Sequence, residues 1–195
     1  MNDKTSAVSL NDQRWVNRLD YRPSDYRIDS VTMVIDLDAE KTRVHTRMVG
    51  NRREGVSSKT PLVLDGEDLI LESVVLDGLP LTADRYEVDA THLTLKHVKE
   101  TFVLETWVTI HPRQNTTLSG LYVSNEHLCT QCEAQGFRRI TYYLDRPDIL
   151  ATFDVKLVAP KKKYSHLLSN GHLVESGQNN QGQVWCRWSD PHPKP

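Results

Sequence analysis

From Phe102 to Ile110 the chain alternates without a break: Phe102, Leu104, Thr106, Val108 and Ile110 share one face of an extended backbone. A period of two is the side-chain repeat of a strand and is incompatible with the 3.6-residue repeat of a helix. Pro112 closes the run, because its ring nitrogen has no proton to give to a ladder. Shorter stripes repeat the pattern. Val31, Met33, Ile35 and Leu37 lie on one face, with Thr32, Val34 and Asp36 on the other. After the polar stretch Asp38-Ala39-Glu40-Lys41 a second run carries Val44, Thr46 and Met48, which predicts a hairpin. Phe153, Val155 and Leu157 form another stripe, and Val184, Cys186 and Trp188 the last. Asn170-Gly171, between Leu167-Leu168-Ser169 and His172-Leu173-Val174, carries the sequence of a tight hairpin turn. Asp65-Gly66 and Asp77-Gly78 punctuate the middle, and Ser176 to Gln183 reads as a polar loop. Alanine is scarce beside Val, Ile and Thr, which favours pleated surfaces over helices. The expectation is an all-β fold of stacked, mainly antiparallel sheets.

A length of 195 residues fits one domain. Lys and Arg number 24 against 26 Asp and Glu, a net charge of −2, so no long-range field is available to hold a nucleic acid. No apolar run approaches a membrane span, and Met1 to Leu10 lacks the apolar core of a signal peptide. Three cysteines make no disulfide framework and point to a reducing, cytoplasmic setting. Residues 1–20 are polar and expected to be loose, with Trp15 and Leu19 docking on the body. Residues 21–188 are expected to form the β-domain, and 189–195, with Pro191, Pro193 and Pro195, to form a connector toward a further domain.

Chemistry concentrates between Gly120 and Leu157, where amides, carboxylates, cysteines and paired aromatics crowd together with poor periodicity. Cys129 and Cys132 stand in C-x-x-C spacing. A small zinc module, a redox pair and two reduced structural thiols are all open readings, although no second C-x-x-C completes a tetrahedral site. None of the eight histidines falls in an H-E-x-x-H, and there is neither a Gly-x-Ser-x-Gly nor a Gly-rich phosphate loop. Lys161-Lys162-Lys163 and Arg52-Arg53 read as solvated turns. Gln131 and Glu133 are the pair to single out. Two residues apart in an extended segment they would point the same way, and together could hold a primary ammonium.

Thr130-Gln131-Cys132-Glu133-Ala134-Gln135-Gly136-Phe137-Arg138, followed by Thr141-Tyr142-Tyr143-Leu144-Asp145-Arg146-Pro147-Asp148, closely resembles the N-terminal domain of the bacterial aminopeptidase N family. These are the alanyl aminopeptidases among the gluzincin zinc metallopeptidases. Further matches follow in order: Tyr21 to Tyr26, Leu64 to Leu69, Leu118 to Tyr122, Leu167 to Gly171 and Trp188 to Pro195. The resemblance implies a saddle-like all-β domain. It also implies that Glu133 binds the free α-ammonium of a peptide substrate and that Gln131 lines the pocket for its first side chain. Gln135 stands where the family commonly has Glu, and Ser165 where it commonly has Pro. The family's H-E-x-x-H and its Gly-x-Met-Glu-Asn motif are absent from these residues. The resemblance therefore places zinc, and no part of its site in this chain, in a catalytic domain expected after Pro195. The partners it implies are a peptide N-terminus and that catalytic domain. The alternative is a non-catalytic interaction module on the same β-fold.

Overall fold

Asp38 makes the first turn. Its Oδ1 accepts from the backbone N–H groups of Glu40, at 2.8 Å, and Lys41, at 3.2 Å. The chain is thereby reversed between β1 (Tyr26–Asp36) and β2 (Thr42–Arg52), and the first predicted hairpin is present. Val31 and Met33 face inward with Val44, Thr46 and Met48, as the alternation requires. The computed structural model describes residues 18–195. Trp15 and most of the leading segment lie outside the described residues, and Leu19, expected to dock on the body, is 83% exposed.

The remaining strands are β3 (Leu62–Asp65), β4 (Ile70–Leu76), β5 (Leu79–Pro80), β6 (Tyr86–Val88) and β7 (His92–Leu95). They are followed by β8 (Thr101–Ile110), β9 (Gly120–Ser124), β10 (His127–Gln131), β11 (Ala151–Pro160), β12 (His172–Gln178) and β13 (Gln183–Lys194). An eight-stranded sheet runs in the order β12-β13-β11-β1-β2-β8-β4-β5. Its pairs are antiparallel except β1 with β11, which run parallel from Ser30↔Thr152 to Asp36↔Val158. A three-stranded sheet, β3-β7-β6, contributes Leu62, Leu64, Leu93 and Leu95 to one core with Met48, Leu104 and Val108 of the large sheet. The all-β expectation of mainly antiparallel sheets holds. Among the described residues no helix is long and apolar enough to cross a membrane.

Three local expectations are corrected. Asn170-Gly171 does not close a hairpin, because residues 167–169 form no strand. β13 lies between β11 and β12, so residues 161–171 must cross from one to the other. Gly171, at φ +86°, packs against Ser189 where β12 begins. The polar segment from Ser176 is strand as far as Gln178, and the turn is confined to 179–182. Residues 189–194, expected as a connector, continue β13, with Asp190 opposite Phe153 and Lys194 opposite Ala151. Pro191 and Pro193 fit there because pairing with β12 has ended at Ser189 and the β11 ladder is bulged between Ala151 and Phe153. Missing N–H donors cost little at such a place.

Candidate functional site

β9 and β10 form a two-stranded sheet of their own, paired from Gly120↔Gln131 to Ser124↔His127. Asn125 and Glu126 make the tight turn, both at positive φ (46° and 64°), which suits the twist of a two-residue hairpin. Arg113 fixes the tip. Its Nη1 and Nη2 donate to the two carboxylate oxygens of Glu126 at 3.0 and 2.9 Å, and its Nε donates to Glu40 in the β1–β2 turn.

The other end of the hairpin carries the candidate residues. β10 stops at Gln131, and residues 133–136 turn back, closed by the Gly136 N–H donating to the Cys132 carbonyl at 2.7 Å. A 3-10 turn, Phe137–Arg139, follows. A Cβ on Gly136 would overlap the Gln131 carbonyl oxygen, so the turn can pack against the strand end only with glycine there. Phe137 anchors the turn in the core, edge-on to Tyr143 at 5.0 Å and to Phe153 at 5.9 Å between ring centroids.

Gln131 and Glu133 are both exposed. The extended geometry expected between them is absent, since Glu133 sits in the turn. They are brought together instead by the Gln131 Nε2, which donates to the Glu133 backbone carbonyl at 3.0 Å. The Glu133–Ala134 peptide bond is cis. The Glu133 carboxylate has no partner among the described residues. An exposed anion beside a fixed amide is suited to a primary ammonium, which demands several acceptors around one small cation.

The two C-x-x-C cysteines are free. Burial, with the charge of Asp145 adding to it, pushes the Cys132 thiol up to about 11, which disfavours the thiolate needed for metal or redox work. Among the described residues no group of three or more His, Cys, Asp or Glu side chains is placed to hold a metal ion.

A network that sequence reasoning assigned no role lies directly beneath the turn. Arg138 offers its backbone N–H and its Nε to Asp145 Oδ2, at 3.1 and 2.9 Å, and its Nη2 to the Asp145 carbonyl at 3.0 Å. Its Nη1 lies 3.5 Å from Asp65 Oδ1. The Asp145 N–H donates to Asp65 Oδ2 at 3.1 Å, and Asp65 exchanges backbone hydrogen bonds with Tyr143. Arg139 adds pairs to Glu67, at 2.6 Å, and to Asp68. Thr141 is held to β2 through its hydroxyl, 2.8 Å from that of Thr46. Arg138 and Asp145 both stand in the motif quoted above, but their convergence on Asp65 depends on the fold and leaves no local signal.

Fold and loop together define a β-domain with a braced, exposed loop at its surface. Residues 22–195 match the Peptidase M1 N-terminal domain, and the chain belongs to that family. Aminopeptidase N of Escherichia coli is 49% identical over 178 residues, 91% of this chain and 20% of that protein. Aminopeptidase N of Caulobacter vibrioides is 47% identical over 180 residues, 92% of this chain and 20% of that protein. The chain thus spans about a fifth of the length of these curated relatives. Among solved structures, Legionella pneumophila aminopeptidase A in complex with aspartic acid superposes with a TM-score of 0.85 at 32% identity, covering 91% of this chain and 21% of that one. An M1 zinc metallopeptidase from Deinococcus radiodurans shares the fold, with a TM-score of 0.73 at 16% identity over 88% of this chain and 40% of that one.

Proposed function

We propose that this domain works as part of a zinc-dependent aminopeptidase that releases N-terminal residues from peptides. It supplies two contacts to the substrate: the Glu133 carboxylate takes the α-ammonium and Gln131 lines the pocket for the first side chain. The observation that carries this reading is the exposed Glu133 carboxylate, without a partner among the described residues, at the end of a braced hairpin, within the motif that resembles aminopeptidase N. A carboxylate fixed there favours peptides with a free N-terminus and sets how far the scissile bond lies from the reacting centre. The described residues do not fit a catalytic metal, so zinc belongs in this reading to a catalytic domain, and no step on this chain runs through it. The reading includes a cytoplasmic setting and a role in peptide catabolism; the three free cysteines suit a reducing compartment.

The test is kinetic. The isolated chain is expected to turn over no aminoacyl chromogenic substrate. Joined to its catalytic domain it is expected to be active, and Glu133→Ala should then raise KM and lower kcat/KM by about 1.5–3 kcal/mol, the value of a charge-assisted hydrogen bond. Unchanged kinetics would remove Glu133 from the site, whereas a joined protein with no activity at all would favour a non-catalytic interaction module.

A further inference from the structure

The hairpin that carries Gln131 and Glu133 shares no ladder with either larger sheet. Backbone pairing therefore does not set where Glu133 stands relative to the body. Contacts made largely by side chains do, and they converge on the residues just after it. Arg138 lies two residues beyond Gly136, the glycine that closes the turn. It joins three separate stretches of chain: its own 3-10 turn, the end of β3 through Asp65, and the segment 142–145 through Asp145. The Arg138 carbonyl also accepts from the Glu67 N–H at 3.0 Å, so the backbone of the turn is pinned as well as its side chain. The Arg138 and Asp145 side chains are only 17% and 8% exposed. At such burial a charge pair resists solvent screening, and its planar, multiply bonded geometry fixes orientation as well as distance.

We infer that Arg138 and Asp145 are positioning residues for Glu133. On the aminopeptidase reading given above, they hold its carboxylate at the place where the substrate ammonium must sit. Neither touches substrate; both act through Glu133. A displacement of about 1 Å in such a group can cost on the order of a hundredfold in rate. The loop thus reads as a recognition element whose aim is set largely from the inside, by a mostly buried arginine.

The experiment is a double-mutant cycle in the enzyme formed by this domain and its catalytic domain, with a free-amine aminoacyl substrate. Asp145→Asn preserves shape and weakens the Arg138 contact; Arg138→Lys keeps the charge and loses the fork, so the cycle survives if a more drastic variant fails to fold. Each substitution is expected to raise KM about tenfold, with kcat much less affected, and to raise it less than about twofold once Glu133 is already Ala. Equal factors in both backgrounds would show that the pair acts independently of Glu133 and would overturn the inference. So would an unchanged KM in the single variants. If Glu133→Ala alone leaves KM unchanged, the underlying reading fails and the inference falls with it. A raised KM there, combined with equal factors, removes the positioning role alone.

Discussion

Arg146 donates Nε to Asp148 Oδ1 and Nη2 to Asp148 Oδ2, both at 2.8 Å, and the Tyr21 hydroxyl adds a third bond at 2.9 Å. The Arg146 bonds hold the Asp148 carboxyl below its ordinary value of 3.8, against an opposing push from partial burial and with help from Tyr21. A carboxyl lowered in the folded state contributes stability that is present above its ordinary value and lost as pH falls through the folded one. Asp148→Asn should therefore lower the melting temperature at neutral pH, and the gap from the wild type should close below about pH 4. Thermal melts from about pH 7 to about pH 2 check this, and a gap independent of pH would contradict it. The Glu133 carboxylate is the opposite case, exposed at the surface and without a partner among the described residues. Its candidacy for the ammonium contact comes from a long, specific motif in the sequence. Its geometry was not legible there: strand periodicity placed Gln131 and Glu133 on one extended face, whereas the strand ends at Gln131 and a side-chain-to-backbone bond draws the two residues together. Arg138 and Asp145 stood in the same motif, but Asp65, which completes their network, lies 80 residues from Asp145.

At the scale of elements, the β9–β10 hairpin depends on close approach at its open end. Gly120 begins β9 at φ +75°, where a Cβ would press on the Cβ of Arg139 at 2.6 Å; one on Gly136 would meet Ser119 Oγ at 2.8 Å as well as the Gln131 carbonyl. Gly136→Ala is expected to destabilise the domain by about 1–3 kcal/mol, the usual cost of forcing volume into a packed contact. Denaturant melts of the two forms measure it, and an unchanged midpoint would show that the turn has room to spare. Elements with long alternating stripes, β1, β2 and β8, were legible because their burial repeats over ten or eleven residues. β3, β6 and β7 span only three or four residues each, too few for a period to stand out. Asn170-Gly171 misled for a different reason. Its positive-φ glycine serves entry into β12 and not a reversal, and only the strand order, with β13 between β11 and β12, reveals the difference.

For the whole molecule, the parallel pairing of β1 with β11 brings residues more than a hundred positions apart into register, and no local pattern encodes it. That pairing sets Phe153 opposite Val31, and Phe153 in turn packs against Phe137 at the foot of the 133–136 turn. The large sheet, the aromatic cluster and the Arg138 network form a continuous support that ends at Glu133. On the aminopeptidase reading proposed above, this support presents a carboxylate to a substrate ammonium. The most direct measurement compares, in the enzyme formed with the catalytic domain, kcat/KM for a short peptide and for the same peptide lacking its α-amine. The wild type is expected to prefer the free amine by at least about tenfold, and Glu133→Ala to lose most of that preference. A preference that survives in Glu133→Ala would mean that the ammonium is recognised elsewhere and that Glu133 is not its partner.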